Sequence, residues 1–296
     1  MTGQQNNRRE IRAHAKINLS LDIVGRRADG YHFVRMVMQS LALHDTLLLE
    51  TCADPGVWLT TDRRELAVDD SNLVHRAAAR LLQMYCPGQG VRIHLEKRIP
   101  LSAGLAGGST DAAAALRGMN DLFSLGLTEE TLARLGVQLG ADIPFCLCGG
   151  TALSEGIGEI LTALPALPPC HILLAKPEKG MSTAEAYKAF DAETEVRHPD
   201  TDGQVRALQS GDLAGVAATL GNVLEPVTEA QYPEVESIRQ CMLQEGALGA
   251  RMSGSGPTVF GIFTEAEKAE RACSVLKKKL SGEVILTTPI QNGRNA

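Results

Sequence analysis

The sequence predicts an α+β fold in two domains, and three observations carry that expectation. Residues 11–25, IRAHAKINLSLDIVG, alternate apolar and polar side chains, the period of a β-strand. Residues 71–85, SNLVHRAAARLLQMY, space their apolar positions as an amphipathic helix does. Stretches of both kinds then follow one another irregularly along 296 residues, the order expected of α+β rather than of a regular βαβ chain. That length suits one large or two medium domains. LPALPP at 164–169 is the most linker-like stretch, and it sets the expected domains at 1–163 and 164–296.

The elements follow in order. In the first strand Ala13, Ala15, Ile17, Leu19, Leu21 and Ile23 share one face, and His14, Lys16, Asn18, Ser20 and Asp22 share the other, so the strand should be half-buried. RADG (27–30) supplies a turn, and the apolar-rich stretch from Phe33 through DTLLLE (45–50) reads as further strands. Ser71 is placed to cap the helix over 71–85. GVRIHLEKRIP is another alternating strand that ends at Pro100. A helix is expected over about 110–122, and a second opens with TEET (128–131) and closes near Gly140. In the second half HILLAKP (171–177) is a strand, STAEAYKAF (182–190) a short helix, and about 203–245 a helical middle. ARMSGSGPTVFGIF (250–263) leads into a strand, followed by a helix near 264–280 and a last strand, EVILTT (283–288). There is no internal repeat and no low-complexity tract.

Bulk properties narrow the function. Composition is ordinary for a globular protein, 44% hydrophobic and 22% charged, and the net charge of −6 argues against a nucleic-acid backbone as partner. No apolar run approaches the length of a membrane span. MTGQQNNRRE (1–10) has no apolar core of a signal peptide and reads as a frayed tail, which points to the cytoplasm. Seven scattered cysteines, with CLC (146–148) the one close pair, lack the spacing of a zinc or thioredoxin site and read as reduced structural thiols. The seven histidines include no H-x-x-x-H, which argues against a metalloprotease. Oligomeric state leaves no mark in the sequence.

PLSAGLAGGSTDAAAA (100–115) raises a sharper question, because three glycines stand between a strand and an alanine-rich helix. Glycine lets an anion approach the backbone, and a helix N-terminus offers unpaired N–H groups and partial positive charge. Ser109 or Thr110 would cap that helix, with Asp111 in its first turn. Neither G-x-x-x-x-G-K-[ST] nor G-x-G-x-x-G occurs, so Walker, Rossmann and eukaryotic-type protein kinase loops are set aside. Taken alone, the loop also fits a tight strand-to-helix turn whose alanines permit close packing.

The stretch P-x-x-x-G-L-[AG]-G-G-[ST]-[ST]-[DN]-A-A resembles the ATP-binding loop of the GHMP kinases, which include galactokinase, homoserine kinase and mevalonate kinase. Two further motifs resemble the same family: AKINLSLDIVGRRADGYH near the N-terminus and MSGSGPTVFGIF near the C-terminus. The resemblance covers about residues 11–290 in the family's order. It implies an N-terminal domain like the second domain of ribosomal protein S5 and a ferredoxin-like C-terminal domain. AKINLSL followed by DGYH, together with LGADIPF and GIGE, is similar to one branch of the family. That branch phosphorylates the 2-hydroxyl of the small molecule CDP-methylerythritol, with ATP and Mg2+, in the non-mevalonate route to isoprenoid precursors.

Roles follow from the resemblance residue by residue. Pro100, Leu101, Ser102, Ala103, Gly104, Leu105, Ala106, Gly107, Gly108, Ser109 and Thr110 would form the phosphate cradle. Asp111 or Ser109 could approach the metal, or simply cap the helix. Lys97 matches a position near the adenosine, although a lysine there is otherwise a solvated surface residue. Asp142 matches the base that takes the substrate hydroxyl's proton, although before Pro144 it also reads as a turn cap. Lys16 matches the lysine that holds this aspartate ionised and offsets developing negative charge. Asn18 shares its strand face and would bond the methylerythritol end. Tyr31 would stack on the cytosine while His32 reads its polar edge. Thr183 and Tyr187 align with further substrate contacts; many relatives have Phe where this chain has Tyr187. GSGP (254–257) reads as a second glycine turn shaping the substrate site. Two rival readings are a GHMP kinase for another alcohol, such as homoserine, and a binding protein on this fold that has lost catalysis. DGYH beside AKIN argues against the first, and retention of Lys16 with Asp142 against the second.

Overall fold

Alternation carries the first strand further than the sequence predicts. In the computed structural model, which describes residues 7–290, β1 runs Arg8–Arg26, so Arg8, Arg9 and Glu10 are strand, and the rest of the expected frayed tail (1–6) lies outside the described residues. Its burial also departs from expectation. Ile17, Leu19 and Leu21 are buried as predicted, but so are Lys16, Asn18, Ser20 and Asp22 on the opposite face. A strand covered on both sides must satisfy its polar side chains internally: Ser20 Oγ accepts the Val37 N–H at 3.3 Å, Asp22 Oδ1 meets His198 Nδ1 at 2.7 Å, and the contacts of Lys16 and Asn18 are described below. The expected strands after Phe33 are one, β2 (His32–Cys52).

Both long strands pass through two compact units, each assembled from separate stretches of chain. Residues up to Ala15, His44–Ile99 and Ala106–Cys148 form the first; Lys16–Leu43, Pro100–Leu105 and the chain from Gly149 form the second.

In the first unit β3 (Gly56–Thr61), α1 (Leu73–Tyr85) and β4 (Gly90–Glu96) form a parallel crossover, and β4 runs antiparallel to residues 46–52 of β2. The cap of α1 is Asn72, whose side chain accepts the Val74 N–H at 2.9 Å; Ser71, the expected cap, bonds Asp69 instead. After β4 comes α2 (Gly107–Leu122), which begins three residues earlier than predicted. Ala112, Ala113, Ala114 and Ala115 are all buried, because small side chains on every face let α1 and α4 (Ile143–Cys148) approach. Gly118 serves the same end: a Cβ there would fall 2.7 Å from Leu49. Thr128 caps α3 (Glu129–Gly136), which stops short of the predicted Gly140 because the chain turns there to start α4.

The second unit opens with a hairpin the sequence did not reveal, β5 (Thr151–Glu155) and β6 (Ile160–Ala163), with β5 pairing residues 36–39 of β2. LPALPP carries no helix or strand. Then come β7 (His171–Pro177), α5 (Thr183–Phe190), α6 (Thr201–Ser210) and α7 (Leu213–Ala218). The two-residue β8 (Gly221–Asn222) pairs in parallel with Ser20 and Leu21 of β1 and interrupts the predicted helical middle. The chain continues through α8 (Glu225–Gln231), α9 (Glu234–Gln244), β9 (Gly249–Met252), β10 (Val259–Phe263), α10 (Ala266–Lys279) and β11 (Gly282–Thr287). A separate sheet of order β11-β7-β10-β9, antiparallel throughout, packs against α9 and α10. This is the ferredoxin-like arrangement.

Candidate active site

The glycine loop leaves β4 and opens α2 without a side-chain cap. The N-cap position is Ala106, in the left-handed region at φ 57°, and no side chain bonds the first turn. Ser109 and Thr110, expected as caps, lie inside the helix; Thr110 Oγ1 donates to the His14 carbonyl at 2.7 Å. An uncapped helix start keeps its first N–H groups available to an anion. A Cβ on Gly108 would have ordinary clearance, 3.7 Å from Leu73. On Gly107 it would meet Ile99 and the Lys97 ammonium at 3.3 Å, so Gly107 is also needed for packing.

Lys97 is not the solvated lysine that its place at a strand end suggests. Its side chain is 1% exposed and its ammonium donates to Asp45 and, at 2.7 Å, to Asp111 Oδ2. Asp45 also accepts the backbone N–H groups of Arg98 and Ile99, the latter at 2.8 Å. One buried carboxylate thus fixes the last residues before the loop. Burial pulls the Lys97 ammonium down, but Asp111 and Asp45 outweigh it and hold its pKa above the usual lysine value. Burial pushes the Asp111 carboxyl well above the usual range, against the opposing pull of Lys97. Asp111 Oδ1 is buried with no hydrogen-bond partner.

Asp142, half-buried, immediately precedes α4. The Gly140 N–H donates to Gly136, that of Ile143 to Gly140 and that of Cys146 to Asp142, so successive main-chain bonds hold this turn. Ser109 stands beside it, its Oγ 3.6 Å from where a Cβ on Gly140 would lie. The first unit therefore brings the start of α2 next to the turn that carries Asp142.

In the second unit, Lys16 donates its backbone N–H to the Leu105 carbonyl at 3.2 Å and its ammonium to Asn18 Oδ1 at 2.7 Å. The Asn18 N–H donates to Ser253 Oγ at 3.2 Å, and that hydroxyl donates to the Gly104 carbonyl at 3.0 Å. Gly104 (φ +73°) and Gly254 (φ +58°) meet backbone to backbone: a Cβ on Gly104 would fall 2.1 Å from the Ser253 carbonyl oxygen. The first glycine of the loop thus serves contact with a neighbouring turn. The GSGP turn is pinned further by Asn222, whose amide donates to the Met252 and Gly254 carbonyls. Ser255 bonds Thr183 at 3.1 Å.

His32 lies against Tyr187, ring centroids 5.0 Å apart, and edge-on to Phe190 at 6.5 Å. Its Nε2 is 2.7 Å from Asp191. Tyr31, beside it, is 60% exposed. Reasoning from sequence missed Asp45, Ser253 and Asp191. Ser253 sits inside a motif already singled out, whereas Asp45 and Asp191 carry no local signal. None of the seven cysteines forms a disulfide, and among the described residues no cluster of three or more His, Cys, Asp or Glu side chains is placed to hold a metal.

Two family models match the chain, GHMP kinases N terminal domain over residues 72–150 and GHMP kinases C terminal over 204–282. The 4-diphosphocytidyl-2-C-methyl-D-erythritol kinase of Moorella thermoacetica is 48% identical over 93% of this chain and 97% of its own. That of Pelotomaculum thermopropionicum is 47% identical, with 95% and 98% covered. A crystal structure of 4-(cytidine 5'-diphospho)-2C-methyl-D-erythritol kinase is 34% identical, with a TM-score of 0.80 over 95% of this chain and 99% of that one. Homoserine kinase from Cytophaga hutchinsonii superposes as well, TM-score 0.81 over 99% and 98% of the two chains, but at 21% identity it speaks only for the fold. The chain belongs to the GHMP kinase family and, within it, to the 4-diphosphocytidyl-2-C-methyl-D-erythritol kinases. It is a phosphotransferase with an alcohol group as acceptor, and ATP use follows from its membership of this kinase family.

Proposed function

We infer that the chain transfers the γ-phosphoryl group of ATP to the 2-hydroxyl of CDP-methylerythritol, in the non-mevalonate route to isoprenoid precursors. The observation that carries this reading is the uncapped start of α2 beside the turn of Asp142, a donor set for phosphate next to a carboxylate. Phosphoryl transfer asks for little else from a protein beyond position and charge control. In this reading the N–H groups of the first α2 turn bind the phosphates, within the stretch from Pro100 to Thr110. Asp142 takes the proton of the 2-hydroxyl as the new O–P bond forms, and Lys16 compensates the developing negative charge. Asn18 bonds the methylerythritol end, Tyr31 and Tyr187 flank the cytosine, His32 reads its edge, and Thr183 contacts the substrate. Lys97 acts from beneath the loop, with its ammonium committed to Asp45 and Asp111.

Mg2+ belongs to the same reading. For a cation that arrives on the nucleotide, Ser109 and the unpartnered Oδ1 of Asp111, both in the first turns of α2, are the candidate protein ligands. When bound, Mg2+ neutralises charge on the transferred phosphate. The division at 163/164 is likewise a proposal, supported by family matches that stop at 150 and resume at 204. A cytoplasmic location fits an enzyme that draws on ATP; among the described residues no helix is long and apolar enough to cross a membrane.

The test is direct. The protein is incubated with ATP, Mg2+ and, separately, CDP-methylerythritol, homoserine and mevalonate, and ADP release is followed. Turnover confined to CDP-methylerythritol is expected, and preference for either other alcohol would overturn the assignment.

A further inference from the structure

His32 is held on three sides. Tyr187 lies over one part of its ring and Phe190 meets it edge-on, and the side chain is only 10% exposed. Nε2 is 2.7 Å from Asp191 Oδ1. Asp191 Oδ2 forms an ion pair with Arg26 Nη1 at 3.3 Å, so each carboxylate oxygen has a partner. Asp191 also closes α5, its N–H donating to the Tyr187 carbonyl at 3.0 Å, which ties it to the helix that carries the stacking ring.

An acceptor on one imidazole nitrogen fixes the tautomer, because that nitrogen must carry the proton. The other nitrogen, Nδ1, is then a lone-pair acceptor. The two pyrimidines differ at just such a partner: cytosine presents an exocyclic amino donor where uracil presents a carbonyl acceptor. We propose that Asp191 is a positioning residue that sets base specificity, holding His32 as the Nε2–H tautomer so that Nδ1 accepts from cytosine and repels uracil. This inference rests on the reading of the substrate as a cytidine diphosphate compound bound at His32.

The experiment compares the CDP and UDP forms of the methylerythritol substrate in wild type, Asp191→Ala, Asp191→Glu and His32→Ala. Discrimination, the ratio of kcat/KM values, should fall about tenfold in Asp191→Ala, the worth of one typical hydrogen bond. The loss should appear in KM for the CDP form, with kcat and KM for ATP within about twofold, and Asp191→Glu should recover part of it. Long-range 1H–15N correlation on histidine-labelled protein at about pH 8 should find His32 as Nε2–H in wild type and as a tautomer mixture in Asp191→Ala. An Nδ1–H or imidazolium signal in wild type overturns the proposal. So does unchanged discrimination in an Asp191→Ala protein of wild-type melting temperature, provided His32→Ala loses it. Should His32→Ala discriminate as wild type does, recognition of the base by His32 fails, and the inference falls with it.

Discussion

Lys97 donates to Asp111 at 2.7 Å from an ammonium almost wholly removed from solvent, and divides the same charge with Asp45. Two buried carboxylates around one cation stand only while the cation is present. Lys97→Met should therefore destabilise the protein by about 3–5 kcal/mol near neutral pH, the usual cost of stripping one partner from a buried ion pair.

The pH dependence of that loss has a definite sign. Burial raises the folded Asp111 carboxyl above its unfolded value, so its protonation favours folding at low pH and that benefit fades as pH rises. The Lys97 contribution has the same sign but a higher window: raised in the fold, it is complete below about 10.4 and is lost as pH rises through the folded value above it. Across neutrality Lys97 therefore stays charged in wild type and answers both carboxyl groups, whereas Lys97→Met leaves them with no cation, a penalty that acid relieves by protonating them. Melting curves from about pH 5 to 9 should show the variant's deficit shrinking towards acid; a constant deficit would contradict the shared-charge arrangement.

The loop glycines separate into two kinds. Gly104→Ala forces a Cβ at positive φ into the Ser253 carbonyl, so the variant should lose stability by several kcal/mol or fail to fold. Gly108→Ala has room and a better helix former, so stability should hold or rise by up to about 1 kcal/mol. If phosphate approaches the backbone there, KM for ATP should nevertheless climb. Unchanged ATP kinetics in a stable Gly108→Ala protein would move the phosphates elsewhere.

Asp142→Asn keeps the size of the side chain and removes its capacity to accept a proton. A positioned base contributes about 10²–10⁴-fold, so kcat should fall within that range while nucleotide affinity stays close to wild type. Lys16→Met should also lose activity, and the double variant should lose much less than the product of the two. Independent, multiplying losses would show that the two residues do not act together.

Tyr31 is exposed, and removing its ring costs the fold little. Tyr31→Ala should melt within about 1 °C of wild type yet raise KM for CDP-methylerythritol roughly tenfold, by loss of a stacking face and its burial. KM for ATP should not move. A substrate KM equal to wild type would remove the ring from the cytidine site.

What the sequence determined by itself follows from local physics. Period-two alternation placed β1, helical spacing placed α1, and glycine next to an alanine run placed the loop before α2, because each signal is complete within a dozen residues. The tertiary structure decided what partners at long range decide. The burial of both faces of β1, the pairing of Lys97 with residues 52 and 14 positions away in the chain, and the contact of Gly104 with Ser253 have no local trace. The same holds for Asp191, which meets His32 from 159 residues away. A charged or polar side chain looks alike in sequence whether solvent or a buried partner answers it. Only the fold, by excluding water from one and not the other, separates Lys97 from a surface lysine.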